Sequence, residues 1–215
     1  MIIFDLDGTL LNVWKRYYTV FNAWWKLENL DIEQFIKLKR ELVNDERIVK
    51  KFIPNVDEKA ITLYKNYKSE SLERPDLLQL DQEIFDLKLL KNVGNFRILT
   101  VRRTPDNLFN YLRKRGFDFL IDYTVVLRPS DKLVKYRWIV DNFSTISLKN
   151  EPLLIVGDSE TDLLIGKLSQ VEVFLVNTGL REPYALLDEY KDQILAKVKI
   201  IESAKDLIYI MIQNP

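Results

Sequence analysis

The 215-residue chain contains no cysteine and no histidine. Without cysteine there is no disulfide, no thiolate zinc site and no cysteine nucleophile. Without histidine, Ser-His-Asp and Cys-His catalysis in their usual forms fall away, and histidine-ligated metals with them. Proton transfer near neutral pH is left to carboxylates, lysine, tyrosine or water, and metal binding to hard oxygen donors. There is no excess of charge of either sign, since 32 Lys plus Arg balance 32 Asp plus Glu. The basic footprint of a nucleic-acid-binding surface is therefore missing. No apolar run reaches the length of about 18 residues that a membrane span needs. The start, Met1-Ile2-Ile3-Phe4-Asp5, lacks the basic region and apolar stretch of a secretory signal, so a cytoplasmic location is expected.

What is present is an ordinary globular composition, 47% hydrophobic and 30% charged. Short apolar runs at Met1 to Phe4, Phe96 to Thr100, Leu153 to Val156 and Val171 to Val176 read as buried parallel strands. A fifth strand is expected within Phe119 to Leu127 and a short sixth at Val198 to Ile201. Helical stripes lie between them. One follows Asp81 as a candidate start and ends near Gly94, a second runs from Pro105 to Arg115, and a third has Ser130 as candidate N-cap. This alternation predicts an α/β fold, a doubly wound, Rossmann-like parallel sheet. Residues 13–78 break the alternation. They hold no convincing strand, and Ile32, Phe35 and Ile36, then Ala60, Leu63, Tyr64 and Tyr67, repeat at helical spacing. A small helical domain at 13–78, inserted after the first strand of a core made of 1–12 and 79–215, is expected.

Two acidic motifs follow strands. Asp5-Leu6-Asp7-Gly8-Thr9 comes directly after the first. Ligands of open α/β sheets bind at the carboxyl ends of strands. There one carboxylate can attack while the other gives and takes protons. Gly8 allows a sharp turn, and Thr9 is expected to hydrogen-bond within it. Gly157-Asp158-Ser159-Glu160-Thr161-Asp162 follows a later strand. Asp158 and Asp162, added to Asp5, make an oxygen site suited to Mg²⁺. An acidic turn and a helix cap are the plain structural alternatives for the two motifs. Thr100 ends a strand and can donate to a phosphate oxygen. Lys132 or Lys135 can supply the cation that offsets the carboxylates and phosphate oxygens.

This order of motifs resembles the haloacid dehalogenase superfamily: a strand then DxDGT at Asp5 to Thr9, a strand-end Thr at Thr100, a lysine, and GDxxxD at Gly157 to Asp162. The resemblance covers essentially the whole chain and is nearest to capped phosphatases of the phosphoglycolate phosphatase and β-phosphoglucomutase group. It implies Asp5 as nucleophile forming an aspartyl-phosphate and Asp7 as acid and base. It implies Mg²⁺ held by Asp5, the Asp7 backbone carbonyl and Asp158, with Asp162 in support. Thr100 and the lysine would bind the phosphoryl oxygens. Spacing to the fourth motif favours Lys132 slightly over Lys135. The expected substrate is a small phosphorylated metabolite, with no nucleic-acid or membrane partner, acted on by a monomer or homodimer. A phosphomutase and a non-catalytic binding protein of the same fold are the alternatives. The dense aromatics from Trp14 to Trp25 are expected to pack together, and Arg102 and Arg103 are divided between meeting an anionic substrate and facing solvent.

Overall fold

In this computed structural model, residues 1–42, 44–146 and 153–213 are described. The chain begins with β1 (Ile2–Phe4) and β2 (Leu11–Asn12), then five helices, α1 (Trp14–Trp25), α2 (Ile32–Leu42), α3 (Asp45–Phe52), α4 (Glu58–Ser71) and α5 (Pro75–Leu78). It returns through β3 (Gln82–Glu83) and alternates thereafter: β4 (Phe96–Val101), α6 (Pro105–Lys114), β5 (Thr124–Leu127), α7 (Val134–Ile146), β6 (Leu153–Gly157), α8 (Glu160–Leu163), β7 (Val171–Val176), α9 (Pro183–Tyr190), β8 (Lys197–Ile201) and α10 (Ala204–Gln213).

Six strands form one sheet in the order β5-β4-β1-β6-β7-β8, with every pair parallel. This is the expected Rossmann-like α/β architecture. Side chains alternate across the pleat, so Ile2 and Phe4 enter one apolar core and Ile3 the other. Burial on both faces is why β1 shows no polar alternation. The chain leaves β1 for β4 on one side and β6 on the other. The crevice for a ligand therefore opens where β1 ends. At the edge, β8 carries Lys197 and Lys199, which protect it from pairing with another chain.

The helices between β1 and β4 build a third apolar cluster, which includes Phe21, Leu30, Phe35, Ile48, Val49 and Tyr64. Rings pack within it, Phe21 on Phe35 at 5.0 Å and Trp24 on Tyr67 at 4.9 Å. The stripe of α4 is imperfect, for Tyr64 is buried while Leu63 is 49% exposed. Entry to and exit from these helices are joined by the antiparallel β2–β3 ribbon, Leu11 opposite Glu83 and Asn12 opposite Gln82.

Several local expectations are corrected. Asp81 starts no helix: it is buried, and its Oδ1 accepts from Arg16 Nε at 3.0 Å. The helical turn there is a 3₁₀ segment, Leu87–Asn92, capped by Asp86. Ser130 caps nothing, and its Oγ accepts from Arg137. The strand read to Thr100 continues to Val101, and the one within 119–127 is confined to Thr124–Leu127.

Arg16, on α1, also donates to Leu72 O at 2.7 Å, so one buried guanidinium ties both ends of the helical segment. Burial pushes the Asp81 carboxyl up from its ordinary 3.8 to about 7, against the attraction of Arg16. A raised acid binds its proton in the native state where the unfolded chain has lost it, so its contribution fades as pH rises. Measured against Asp81→Asn by denaturant unfolding, the wild type is expected to lose relative stability between about pH 4 and 7. A pH-independent difference between the two proteins would contradict this.

Candidate active site

Asp5 follows β1 directly, its N–H donating to Val156 O at 2.8 Å. Its Oδ1 accepts from Leu6 N at 2.7 Å and pairs with Lys135 Nζ at 2.8 Å. Lys135 projects from the first turn of α7 and is 2% exposed. It also donates to Asp162 Oδ1 at 2.6 Å, so one ammonium bridges two motifs. Lys132, which spacing favoured, lies elsewhere. It precedes the helix and donates to Tyr190 OH at 2.6 Å, away from the carboxylates. The three-residue offset puts Lys135, not Lys132, on the helical turn that faces the strand ends.

Asp158 stands at the end of β6, where its Oδ2 accepts from Leu180 N at 2.9 Å. Asp162 Oδ2 accepts from Ser159 Oγ at 2.6 Å and from Ser159 N at 3.2 Å, a capping box on α8. The cap reading of this motif thus holds for Ser159 and Asp162. Three glycines make the packing possible. A Cβ on Gly8 would lie 2.4 Å from Asp158 Oδ2, and one on Gly179 2.0 Å from Asp158 Cβ. A Cβ on Gly157 would lie 2.2 Å from Asp162 Cγ. Gly8 also has φ +83°, a conformation L residues avoid. Thr9 departs from expectation, since its buried hydroxyl finds no hydrogen-bond partner among the described residues.

One carboxylate oxygen from each of Asp5, Asp158 and Asp162 lies within 4.8 Å of the others. Burial, then the charge of Asp162, pushes Asp5 up to about 7 despite Lys135. Burial and the charges of Asp5 and Asp162 push Asp158 well above the usual carboxylate range. Three buried acids faced by one ammonium fit a hard divalent cation such as Mg²⁺. Asp5 and Asp158 are the residues placed to hold it. Both oxygens of Asp162 are already engaged, which suits it to orienting its neighbours.

Asp7 lies outside this cluster. Its Oδ2 accepts from Arg16 Nη2 at 3.0 Å and its Oδ1 from Arg102 Nη2. Burial opposes its ionisation, but the two guanidinium groups prevail and hold its carboxyl below the ordinary value. Of the arginine pair after β4, Arg102 is thus a buried partner of Asp7. Arg103 is exposed, with its N–H donating to Glu73 at 2.7 Å. Thr100 is buried and lines the same cavity.

That cavity, about 530 Å³, is lined by Asp5, Asp7, Thr100, Lys135 and Asp158 from the sheet side. Tyr17, Trp25, Lys39, Asp45, Tyr64 and Lys68 line it from the helical side, with Arg181 from the loop after β7. Sequence reasoning missed Arg16, Asp45, Lys68 and Gly179. Gly179 alone carried a signal, as a glycine following a strand; the rest look like ordinary residues of helices.

No helix among the described residues is long and apolar enough to cross a membrane. A comparison with curated protein sequences returns no match. Among solved structures, a predicted phosphoglycolate phosphatase from Haemophilus somnus is 18% identical with a TM-score of 0.65, over 98% of this chain and 97% of that one. A haloacid dehalogenase-like family hydrolase from Streptococcus pneumoniae is 17% identical at 0.61, over 97% of each chain. Protein tyrosine kinase A of Mycobacterium tuberculosis is 15% identical at 0.58, over 96% of each. At such identities the likeness is one of fold, and it spans different activities. The family model described as haloacid dehalogenase-like hydrolase matches residues 2–176. With its DxDGT strand end, buried Lys135 and GDxxxD turn gathered around one crevice, the chain belongs to the haloacid dehalogenase-like hydrolases.

Proposed function

We propose that this chain is a phosphatase that hydrolyses a small phosphorylated metabolite through an aspartyl-phosphate on Asp5. The observation that carries this reading is the buried Asp5 carboxylate, at the end of the central strand, within reach of both Lys135 and the Asp158–Asp162 turn. Asp5 attacks phosphorus, the ester P–O bond breaks, and Asp7, protonated at this point, gives its proton to the leaving oxygen, which becomes an alcohol. Water then attacks the aspartyl-phosphate, Asp7 takes its proton, and cleavage of the P–O bond to Asp5 releases inorganic phosphate. A Mg²⁺ held by Asp5 and Asp158, with the Asp7 backbone carbonyl, would neutralise phosphoryl charge. Lys135 and Thr100 hold the phosphoryl oxygens from the protein side.

Asp7 suits the second half of this cycle better than the first. Between Arg16 and Arg102 it is an anion, ready to accept a proton. To protonate a leaving group it must first gain one, and both guanidinium groups work against that. Residues 13–78 act in this reading as a cap that shields the cavity from water. With this reading go a cytoplasmic location, a monomer or homodimer, and neither a nucleic-acid nor a membrane partner.

Asp5→Asn is expected to lower Mg²⁺-dependent phosphate release from a panel of phosphomonoesters by at least about 10³-fold. EDTA should do the same to the wild type, and Mg²⁺ should reverse it. Equal, slow release by wild type and Asp5→Asn would sink the proposal. Lys135→Met should cost at least about 100-fold in kcat/KM, whereas Lys132→Met should leave activity within a few-fold. Circular dichroism of both variants separates lost chemistry from lost fold.

A further inference from the structure

The helical wall of the cavity holds a charge cluster that the proposed chemistry does not use. Asp45, at the start of α3, is buried. Its Oδ1 accepts from Lys39 Nζ at 2.6 Å. Its Oδ2 accepts from Lys68 Nζ and from Tyr64 OH, each at 2.6 Å. Two ammonium groups therefore share one carboxylate, and these three charges sum to one positive. Other charges nearby are matched differently: Lys65 pairs with Glu46, and Arg181 with Glu160 and Glu189.

Asp45 is saturated by these donors and offers little to a ligand. Lys68 is the opposite case. An ammonium has three N–H donors, and Asp45 takes one of them. The Nζ lies 5.3 Å from the centroid of the Tyr17 ring, which lines the same cavity as Asp5 and Asp158. The Lys68 side chain keeps 23% of its surface exposed, and it lines the cavity. Burial, then the Lys68 charge, draws Lys39 down to about 8, so the two cations crowd each other. A half-buried ammonium that gives Asp45 one of its three donors is suited to meet an anion entering the cavity.

We infer that Lys68, with Lys39 beside it, forms a subsite for a second anionic group of the substrate, which is then a phosphomonoester carrying a further carboxylate or phosphate. This rests on the phosphatase reading above, since it takes the scissile phosphate to lie at Asp5. Asp45 sets the position of the two lysines, and Tyr17 and Tyr64 flank the chain that links the two anions. A cavity of this size holds a metabolite of that kind.

The test compares three esters of one carbon skeleton: phospholactate, propanediol monophosphate and propanediol bisphosphate. With the wild type, kcat/KM for at least one of the doubly anionic esters should exceed that for propanediol monophosphate by about tenfold or more. Which of the two is preferred tells carboxylate from phosphate. Lys68→Gln should remove that preference by raising KM for the doubly anionic ester, and Lys68→Arg should restore part of it. Equal kcat/KM for all three esters, with turnover that depends on Asp5, overturns the subsite and leaves the phosphatase reading standing. A uniform fall for all three in Lys68→Gln assigns Lys68 a structural role and also overturns it. No Asp5-dependent turnover of any ester overturns both readings.

Discussion

The structure around the crevice depends on one imbalance: three buried carboxylates, Asp5, Asp158 and Asp162, meet a single buried ammonium, Lys135. Like charges so close raise one another's proton affinity and burial adds to it, hence the upward displacement of Asp5 and Asp158. Lys135 is driven up as well: burial disfavours its charge, but Asp162 and Asp5 outweigh that and keep it protonated. Holding three such acids together requires backbone thin enough to let them approach. Gly8 and Gly179 press on Asp158 and Gly157 on Asp162, at distances no other residue permits. The glycines of both motifs serve the approach of carboxylates as much as the turning of the chain.

A second charge arrangement stands beside the first, and its charges are equal in number. Asp7 and Asp81 are balanced by Arg16 and Arg102. Arg16 reaches Asp7, Asp81 and Leu72 O together, so it joins the turn after β1 to the end of the helical layer. The neighbouring acids Asp5 and Asp7 thereby acquire opposite tendencies, Asp5 towards holding a proton and Asp7 towards losing one. A divalent cation on Asp5 would offset this rise and leave the carboxylate ionised, as attack on phosphorus requires.

The sheet was legible because its strands are buried on both faces, and continuous apolar runs such as Ile2-Ile3-Phe4 have few other uses. Asp5 and Asp158 stood out as candidates because each directly follows a strand. Asp81 was misread because its type suggests a cap, and only the fold brings Arg16 to it. The lysine was left between two positions for a related reason. Lys132 and Lys135 are three residues apart, and the choice turns on where α7 begins, the least certain part of a helix to place from sequence. The Asp45–Lys39–Lys68 cluster was invisible because its members come from three helices and meet only by packing.

One loop, residues 177–181, is shared by the carboxylate cluster and the helical layer. On the sheet side Leu180 N donates to Asp158, Thr178 Oγ1 donates to Gly8 O, and Gly179 lies against Asp158. On the helical side Arg40 donates to Asn177 Oδ1, Asn177 O and Gly179 O, and Trp14 Nε1 donates to Thr178 O. The helical layer cannot lift from the sheet without breaking these bonds. Two of the three Arg40 acceptors, and that of Trp14, are backbone oxygens, so the attachment pulls on the chain itself and not on a mobile side chain. The peptide they pull on carries the donor to Asp158. The position of the helices and the position of a candidate metal-binding carboxylate are therefore linked through the five residues of this loop.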